Sequence, residues 1–271
     1  MLRFSNTSTQ DILNKINDTT IECFRTKCLE IIEKYGSVVD YNLVITGTMG
    51  SGKTTLLETL SLLFHTNKLS IINFPEYLYA PGGELSGDLL KKKLEGKISS
   101  LTFQSYILDM WDETLNDYYK NEGIKLYERC VDDSVICFCG LDHKNKNLDD
   151  DELKVLQTKL TKTIEKHHEV PTYLKDNINF IVVKSNDLNN TLIKIIDVIL
   201  HDLEHKIDNR IIGLSVTPKQ SFDRIKMRGR KGEDKYDFEI VRIFNDYYKK
   251  LYEYLNNNKY IKDMSVMKDL L

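Results

Sequence analysis

A glycine-rich segment directly follows an apolar run near residue 45, and this combination constrains the fold more than any other part of the sequence. Residues 47–55 are G-T-M-G-S-G-K-T-T, which fits the pattern G-x-x-x-x-G-K-[ST]. The apolar run 43–45 predicts a buried strand, and the leucines within 55–64 recur at helical spacing. In a strand, glycine loop and helix in this order, the loop N–H groups and the helix N-terminus bind anions. The sequence therefore predicts an α/β protein that binds a nucleoside triphosphate.

The residue types within the loop indicate which contacts each position makes. Lys53 is expected to reach the outer phosphates, and the hydroxyl of Thr54 is expected to ligate Mg²⁺. The predicted ATP-binding residues of the loop are Gly47, Thr48, Met49, Gly50, Ser51, Gly52, Lys53, Thr54 and Thr55.

Composition excludes several other classes of protein. A net charge of -3 over 271 residues is not the electrostatic signature of a nucleic-acid-binding protein. No apolar stretch approaches the length of a membrane span, and the N-terminal M-L-R-F-S-N lacks the apolar core of a signal peptide. The five cysteines are an odd number and are expected to be reduced thiols, which favours a cytoplasmic location.

Strand and helix patterns alternate along the chain, which predicts a parallel sheet covered by helices. Beyond the first strand, strands are predicted at 69–74, 124–127, 180–183 and 211–216. Helices are predicted at 8–35, 84–96, 101–121, 149–168, 188–206, from 218 through the arginines that follow, and 236–256. We expect an N-terminal helical extension over 1–40 and a single P-loop domain over 41–271, with an insertion at about 140–210.

Charged residues follow two of the predicted strands directly. Glu76 comes after the second strand, and Glu128 and Arg129 come after the third. The carboxyl ends of parallel strands meet at one edge of a sheet, so these side chains are expected near the phosphate loop. Two carboxylates beside a triphosphate are compatible with one metal ligand and one proton acceptor.

Three of the eight arginines fall within seven residues, at Arg224, Arg228 and Arg230. They lie on a predicted helix that runs into Gly229 and Gly232, an arrangement expected of a mobile lid over the phosphates. Guanidinium groups in a lid stabilise charge on a phosphoryl group during its transfer. The segment therefore favours a kinase that acts on a small acceptor.

Other P-loop classes fit the sequence less well. A GTPase needs N-K-x-D for guanine, and residues 145–148 are N-K-N-L, with leucine in place of the carboxylate. A motor ATPase usually combines an apolar strand that ends in aspartate with a remote arginine finger. Transfer to a small bound acceptor fits best.

Five motifs, taken in order, resemble the deoxyribonucleoside kinases, a family that includes deoxycytidine, deoxyguanosine and mitochondrial thymidine kinases and their insect and viral relatives. They are the phosphate loop, F-P-E (74–76), T-F-Q-S-Y (102–106), Y-E-R-C-V (127–131) and the lid segment 217–233. The resemblance implies a P-loop NTPase three-layer fold, with a parallel sheet flanked by helices and an arginine-bearing lid. A lysine-, asparagine- and isoleucine-rich composition is also typical of AT-rich genomes, as in viruses and parasites.

The resemblance implies roles for the residues at the strand ends. Glu76 would be the general base for the sugar 5′-hydroxyl, and Arg129 would hold that hydroxyl and the base in position. Glu128 would bind Mg²⁺ together with Thr54, and Gln104 would pair with the edge of the nucleobase.

The lid receives roles from the same resemblance. Arg224, Arg228 and Arg230 would contact phosphates of ATP, and Arg228 and Arg230 together with Lys53 would be catalytic. Glu233 would bind the deoxyribose 3′-hydroxyl.

Some positions depart from the family pattern. Where the family has a tyrosine for the 3′-hydroxyl, this chain has L-L-K-K-K at 89–93, and Tyr77 and Tyr79 are candidates to replace it. Trp111 and Ser134 stand where an arginine and an aspartate favour purines and deoxycytidine in relatives. The absence of that charged pair, together with the bulky Trp111, predicts a substrate pocket for a pyrimidine, with thymidine or deoxycytidine as the acceptor.

Two alternatives remain at this point. A nucleoside monophosphate kinase of thymidylate kinase type would need basic groups for the acceptor phosphate, and the lysines at 91–93 could supply them. A non-catalytic, regulatory P-loop protein would bind nucleotide without transfer. For the kinase, the expected partners are a deoxynucleoside and a nucleoside triphosphate, with no nucleic acid and no membrane, and the resemblance implies a homodimer.

Overall fold

Five parallel strands form one sheet at the centre of the computed structural model, in the order β2-β3-β1-β5-β4. The structure describes residues 8–76, 83–118, 120–176, 178–229, 233–262, 264 and 266. The strands are β1 Tyr41–Gly47, β2 Ile71–Phe74, β3 Ile124–Glu128, β4 Phe180–Lys184 and β5 Asn209–Ser215. The predicted parallel sheet is confirmed, and each strand lies within a few residues of its predicted position.

Ten α-helices in the described part of the chain surround the sheet. They are α1 Thr9–Leu13, α2 Asp18–Tyr35, α3 Lys53–Thr66, α4 Gly83–Leu94, α5 Ser100–Tyr118, α6 Gly140–Lys144, α7 Asp150–Lys166, α8 Leu188–Glu204, α9 Pro218–Arg228 and α10 Phe238–Asn258. They bury one apolar core on each face of the sheet: α5, α7 and α10 contribute to the first, and α2, α3 and α8 to the second. The expected three-layer P-loop fold is therefore confirmed.

The central strand β1 is buried along its whole length, between β3 and β5. Its apolar residues read as a continuous run because both faces of a parallel sheet are covered by helices. Ile45 of β1 is level with Glu128 at the end of β3 and with Ile212 of β5. The register places the end of β3 beside the phosphate loop.

The helix predicted over 8–35 is two helices, because the chain turns between α1 and α2. The side chain of Asn17 accepts a hydrogen bond from the Thr20 N–H at 2.8 Å and so begins a new helix. Phe24, Cys28 and Ile31 of α2 are fully buried in the core shared with α3 and α8. The N-terminal extension thus packs against the helix that follows the phosphate loop.

The region predicted as an insertion contains α7, β4 and α8. Strand β4 pairs with β5 and forms the edge of the sheet, so the edge strand precedes its neighbour in the chain. The loop that follows β4 reaches the phosphate loop, as described below. No helix among the described residues is long and apolar enough to cross a membrane.

Candidate active site

Glycine is required at the tip of the phosphate loop for steric reasons. Gly50 has a φ of +71°, and a Cβ atom there would lie 2.4 Å from the backbone oxygen of Ser221 in α9. The Ser221 hydroxyl in turn donates a hydrogen bond to the Met49 carbonyl. The loop and the lid helix are therefore in direct backbone contact.

Lys53 lies buried beneath this loop. Its Nζ donates hydrogen bonds to the carbonyl oxygens of Gly47 and Thr48, both at 3.0 Å. Burial lowers the pKa of Lys53 to about 7, and the positive charge of Arg129 contributes to the shift. The negative charge of a bound triphosphate would raise this pKa again. Anion binding and protonation of Lys53 therefore favour each other.

The lid helix α9 holds the loop through Arg224. The guanidinium donates to the carbonyl oxygens of Gly50 at 3.3 Å, Ser51 at 3.2 Å and Ser185 at 3.1 Å. Ser185 follows β4, so this one side chain connects the lid, the loop and the edge strand. Arg224 lies at the predicted phosphate site but bonds to protein carbonyls there.

A cavity of about 590 Å³ opens along this side of the loop, and we call it the donor cavity. Lys53, Thr54, Thr55, Asn186 and Arg228 are among its lining residues. Its position in front of the N-terminus of α3 is where phosphate binding is expected.

The two acidic residues at the strand ends meet the loop, as predicted. The Thr54 hydroxyl donates to Oε1 of Glu128 at 2.6 Å, and the Glu76 backbone N–H lies 3.5 Å from Oε2 of Glu128. Both carboxylate residues are nearly inaccessible to solvent. A hydroxyl and a carboxylate oxygen at this distance are hard oxygen ligands that suit Mg²⁺.

Arg129 is the centre of the buried polar network on the other side of the loop. Its Nε donates to Glu76 at 2.8 Å, and its Nη1 donates to the Gly47 carbonyl and to the Tyr248 hydroxyl, both at 2.7 Å. Burial alone would lower the pKa of Arg129, but Tyr248 and Glu76 raise it well above its usual range. The guanidinium therefore stays charged. The backbone of Arg129 has a φ of +81°, which is rare for a residue with a side chain.

Tyr248 and Asp133 complete this network, and sequence reasoning did not identify them as functional. The Tyr248 hydroxyl donates to Oδ1 of Asp133 at 3.3 Å, and Oδ2 of Asp133 accepts from Thr46 at 2.8 Å and from the Cys130 N–H at 2.9 Å. Asp133 lies two positions after Y-E-R-C-V, and this closeness to a predicted site motif could have identified it as a functional residue. Tyr248 lies 119 residues from Arg129, and nothing local marks it.

A second cavity of about 220 Å³ lies on the side of Arg129, and we call it the acceptor cavity. All six residues predicted to bind the substrate line it: Glu76, Gln104, Trp111, Arg129, Ser134 and Glu233. Gln104 is 2% exposed and Trp111 is 6% exposed. Ser134 begins a π-helical turn over Ser134–Cys139.

The lid also borders the acceptor cavity through an ion pair. Nε of Arg228 lies 2.7 Å from a carboxylate oxygen of Glu233, and the guanidinium makes a second bond to the other oxygen. Arg228 and Lys53 line both cavities. Arg230, Tyr77 and Tyr79, which the sequence also singled out, lie outside the described residues.

A phosphate loop, a lid arginine and two cavities that meet at Lys53 define a P-loop phosphotransferase with separate sites for donor and acceptor. Residues 43–185 match the family model for deoxynucleoside kinase, which is more than half of the chain. The chain belongs to the deoxynucleoside kinase family and is a nucleotide-binding kinase. The resemblance drawn from the five motifs is thereby confirmed.

Two solved structures of deoxyadenosine kinase from M. mycoides are similar to this chain. The structure with bound dATP has a TM-score of 0.49 and 20% identity, and covers 81% of this chain and 87% of that chain. The structure with bound dCTP has a TM-score of 0.44 and 21% identity, with coverages of 80% and 86%. The comparison with curated proteins found no match.

Proposed function

We propose that this kinase transfers the γ-phosphoryl group of ATP, with Mg²⁺, to the 5′-hydroxyl of a pyrimidine deoxynucleoside. The observation that carries this proposal is the position of Glu76. Glu76 is buried in the lining of the acceptor cavity together with Lys53, and Lys53 also lines the donor cavity. An acceptor hydroxyl in this place lies between a base and the phosphates of the donor.

The chemistry follows from the neighbours of Glu76. The 5′-oxygen attacks the γ-phosphorus while its proton passes to the Glu76 carboxylate, and the bond to the bridging oxygen breaks with its electron pair left on ADP. Arg129 holds Glu76 through the 2.8 Å bond to Nε. Lys53 and Arg228 line both cavities and so stand where negative charge spreads over the transferring group.

Thr54 and Glu128 would hold Mg²⁺ together with the phosphate oxygens. No cluster of three or more His, Cys, Asp or Glu side chains able to hold a metal occurs in the described ranges. A magnesium ion that relies on one or two protein oxygens and on phosphates needs no such cluster. The metal supplies charge neutralisation at the β- and γ-phosphates when it is bound with ATP.

The residues that line the acceptor cavity support a pyrimidine as the base of the acceptor nucleoside. Trp111 and Ser134 both line the cavity, and the indole is a bulky, largely buried part of its wall. The amide of Gln104 can donate to and accept from the edge of a base. A bulky side chain in the wall favours a single-ring base over a purine.

The same cavity argues against a monophosphate acceptor. Lys93 lines it, but its Nζ lies 2.6 Å from a carboxylate oxygen of Asp142, and both side chains are largely buried. The positive charge is therefore already neutralised by the protein. This supports a neutral nucleoside over a nucleotide such as thymidylate.

The test replaces Glu76 with glutamine. We expect kcat to fall by roughly 10²–10⁴-fold, because general-base catalysis contributes about that much, while the Kd for ATP stays unchanged. Glu33→Gln, at an exposed position of α2, is the matched control and should keep full activity. An unchanged rate in Glu76→Gln would remove Glu76 as the base.

The substrate is tested with thymidine, the three other deoxynucleosides and thymidylate, each followed by release of ADP. The proposal expects thymidine or deoxycytidine to give the highest kcat/KM. No ADP release with any nucleoside would overturn it, and release with thymidylate alone would favour the monophosphate kinase.

Three expectations from the sequence stay predictions. They are the division into an extension over 1–40 and one domain over 41–271, the homodimer, and the cytoplasmic location. Support for the first is mixed, since Phe24 and Ile31 of the extension pack into the core of the domain.

A further inference from the structure

We infer that Lys15, from the N-terminal extension, binds the triphosphate tail of the donor nucleotide. The extension is then part of the donor site as well as part of the core beneath the sheet. This inference rests on the proposed function, because it takes ATP as the nucleotide in the donor cavity.

The charges that line the donor cavity suit an anion. Four cationic side chains and one carboxylate belong to its described lining, namely Lys15, Lys53, Arg224, Arg228 and Glu58. A cleft lined mainly by one sign of charge raises the local concentration of a ligand of the opposite sign. A nucleoside triphosphate is such a ligand.

Three of these four cations are bonded within the protein. Lys53 and Arg224 donate to carbonyl oxygens of the phosphate loop. Arg228 is paired with Glu233. Lys15 differs, because its ammonium group makes no ion pair and no hydrogen bond with any residue that the structure describes. Within the described lining, Lys15 is therefore the cation whose charge the protein does not already use.

The backbone around Lys15 is held in place. Lys15 lies in the turn between α1 and α2, where its N–H donates to the Ile12 carbonyl at 3.1 Å. The next residue, Ile16, is buried in the core shared with α3 and α8. The Asn17 N–H then donates to Oδ1 of Asn189 at 3.0 Å, which joins the turn to the start of α8. The ammonium group is thus presented to the cavity from a fixed turn.

The triphosphate tail is the part of the nucleotide that Lys15 suits. Lys15 comes shortly after α1, and α1 contacts α3, the helix whose first turn faces the expected phosphates. A lysine side chain carries a full positive charge and only donates hydrogen bonds. The phosphate oxygens of ATP are charged acceptors, whereas its sugar and base are uncharged, so the tail is the stronger partner.

The experiment measures the Kd of the wild type and of Lys15→Gln for ATP with Mg²⁺ by calorimetry at low salt. The same two proteins are titrated with tripolyphosphate, which has the phosphates without sugar or base. We expect both Kd values to rise roughly three- to fivefold in Lys15→Gln, the usual size for one exposed charge contact. At about 0.5 M salt the difference should fall below twofold, because salt screens exposed charges.

Two further variants are the controls. Lys15→Arg keeps the positive charge and should bind both ligands within about twofold of the wild type. Lys162→Gln, at an exposed position of α7 outside the lining of the cavity, removes a lysine elsewhere and should leave both Kd values unchanged. In all variants kcat should stay within about twofold at saturating ATP.

An unchanged Kd for ATP in Lys15→Gln at low salt would overturn the inference. A loss that persists at high salt, or that Lys15→Arg shares, would show a structural role of the turn and overturn it as well. A loss for ATP without one for tripolyphosphate would contradict a contact with the tail. Because Kd is measured without transfer, wild-type enzyme that binds ATP but phosphorylates no deoxynucleoside would refute the proposed function and leave the assignment of Lys15 intact.

Discussion

The donor and acceptor cavities meet at Lys53 and Arg228, but they are built from different parts of the polypeptide. The phosphate loop at the floor of the donor cavity is shaped by backbone, through glycines with positive φ and the N-terminus of α3, and residues such as Asn186 and Arg224 complete the cavity wall. The acceptor cavity is shaped by side chains from α4, α5, the lid and α10 and by residues that directly follow β2 and β3, held by the Arg129 network. The phosphate loop of the first comes from one contiguous motif, whereas the second depends on distant parts of the chain, and substitutions in the two should therefore have different effects.

The largest effect is expected from one added methyl group on the donor side. Gly50→Ala places a Cβ 2.4 Å from the Ser221 carbonyl oxygen in a left-handed conformation. Displacement of the loop should lower kcat/KM for ATP on the order of 1000-fold, or about 4 kcal/mol of transition-state stabilisation. Gly87→Ala in α4 has no atom within 4 Å of the new Cβ and is the control. Steady-state kinetics at several ATP concentrations measure both, and equal values for the two variants would contradict a loop shaped by sterics.

A change where the two cavities meet should separate binding from transfer. Arg228→Lys keeps the charge but loses the two-bond contact with Glu233 and with a phosphoryl group. We expect kcat to fall roughly 100-fold, less than loss of a whole arginine finger, with the Kd for ATP within about threefold. Arg242→Lys, which changes an exposed arginine paired with Glu239, is the control. Equal loss of affinity and turnover would mean that Arg228 only binds.

A smaller effect on kcat is expected from Tyr248, which does not line the acceptor cavity but bonds to Arg129, which does. Tyr248→Phe removes the hydroxyl that accepts from Arg129 at 2.7 Å and leaves a buried donor with one partner fewer. Loss of that positioning should lower kcat by roughly 10-fold, the value of about 1.4 kcal/mol for one such bond. The pH profile of kcat should shift as well, because Arg129 holds Glu76. A stable Tyr248→Phe variant with normal kcat would show that the network does not position the base.

The smallest effect on turnover is expected from Asp132, a buried residue that connects the segment after β3 to residues 172 and 173. Its Oδ2 accepts from the Thr172 hydroxyl and the Tyr173 N–H, both at 2.6 Å, and burial raises its pKa to about 7. An unfolded aspartate has a pKa of about 3.9, so its contribution is fully present below about pH 4 and is lost as pH rises through 7. The lost stability is on the order of 2–4 kcal/mol.

Asp132→Asn should therefore flatten the fall in unfolding free energy between pH 4 and pH 8, as measured with urea, and leave turnover at pH 7 within about twofold. Asp151→Asn, at an exposed position of α7, should follow the wild-type curve. Wild-type and Asp132→Asn curves of the same slope would argue against a buried neutral carboxyl group.

The same contrast explains what the sequence could and could not predict. The donor side follows from neighbouring residues, and the parallel sheet follows from alternating periods of two and 3.6. Strand-end positions placed Glu76, Glu128 and Arg129 correctly before any contact was known. Tyr248 was missed because its partner is 119 residues away, and no local pattern distinguishes it from other core tyrosines.

Three further features of the fold were not predicted, each for a different reason. The break between α1 and α2 depends on a cap made by one asparagine, which periodicity does not detect. The π-helical turn of Ser134–Cys139 has an apolar sequence, and a buried strand would have an apolar sequence too, so the sequence pattern does not distinguish them. The edge position of β4 is set by tertiary packing, because a parallel strand pattern is the same at either place in the sheet.

The ion pair between Arg228 and Glu233 has a thermodynamic consequence. In the proposed function a phosphate would compete for the guanidinium and a sugar for the carboxylate, so the first ligand to bind would bear the cost of separating the pair. The second ligand then binds a residue that is already released, and by reciprocity each ligand raises the affinity for the other by the same factor, typically 5–150-fold. Such cooperation would delay full assembly of the site until the nucleoside is present, and would so limit the hydrolysis of ATP by water.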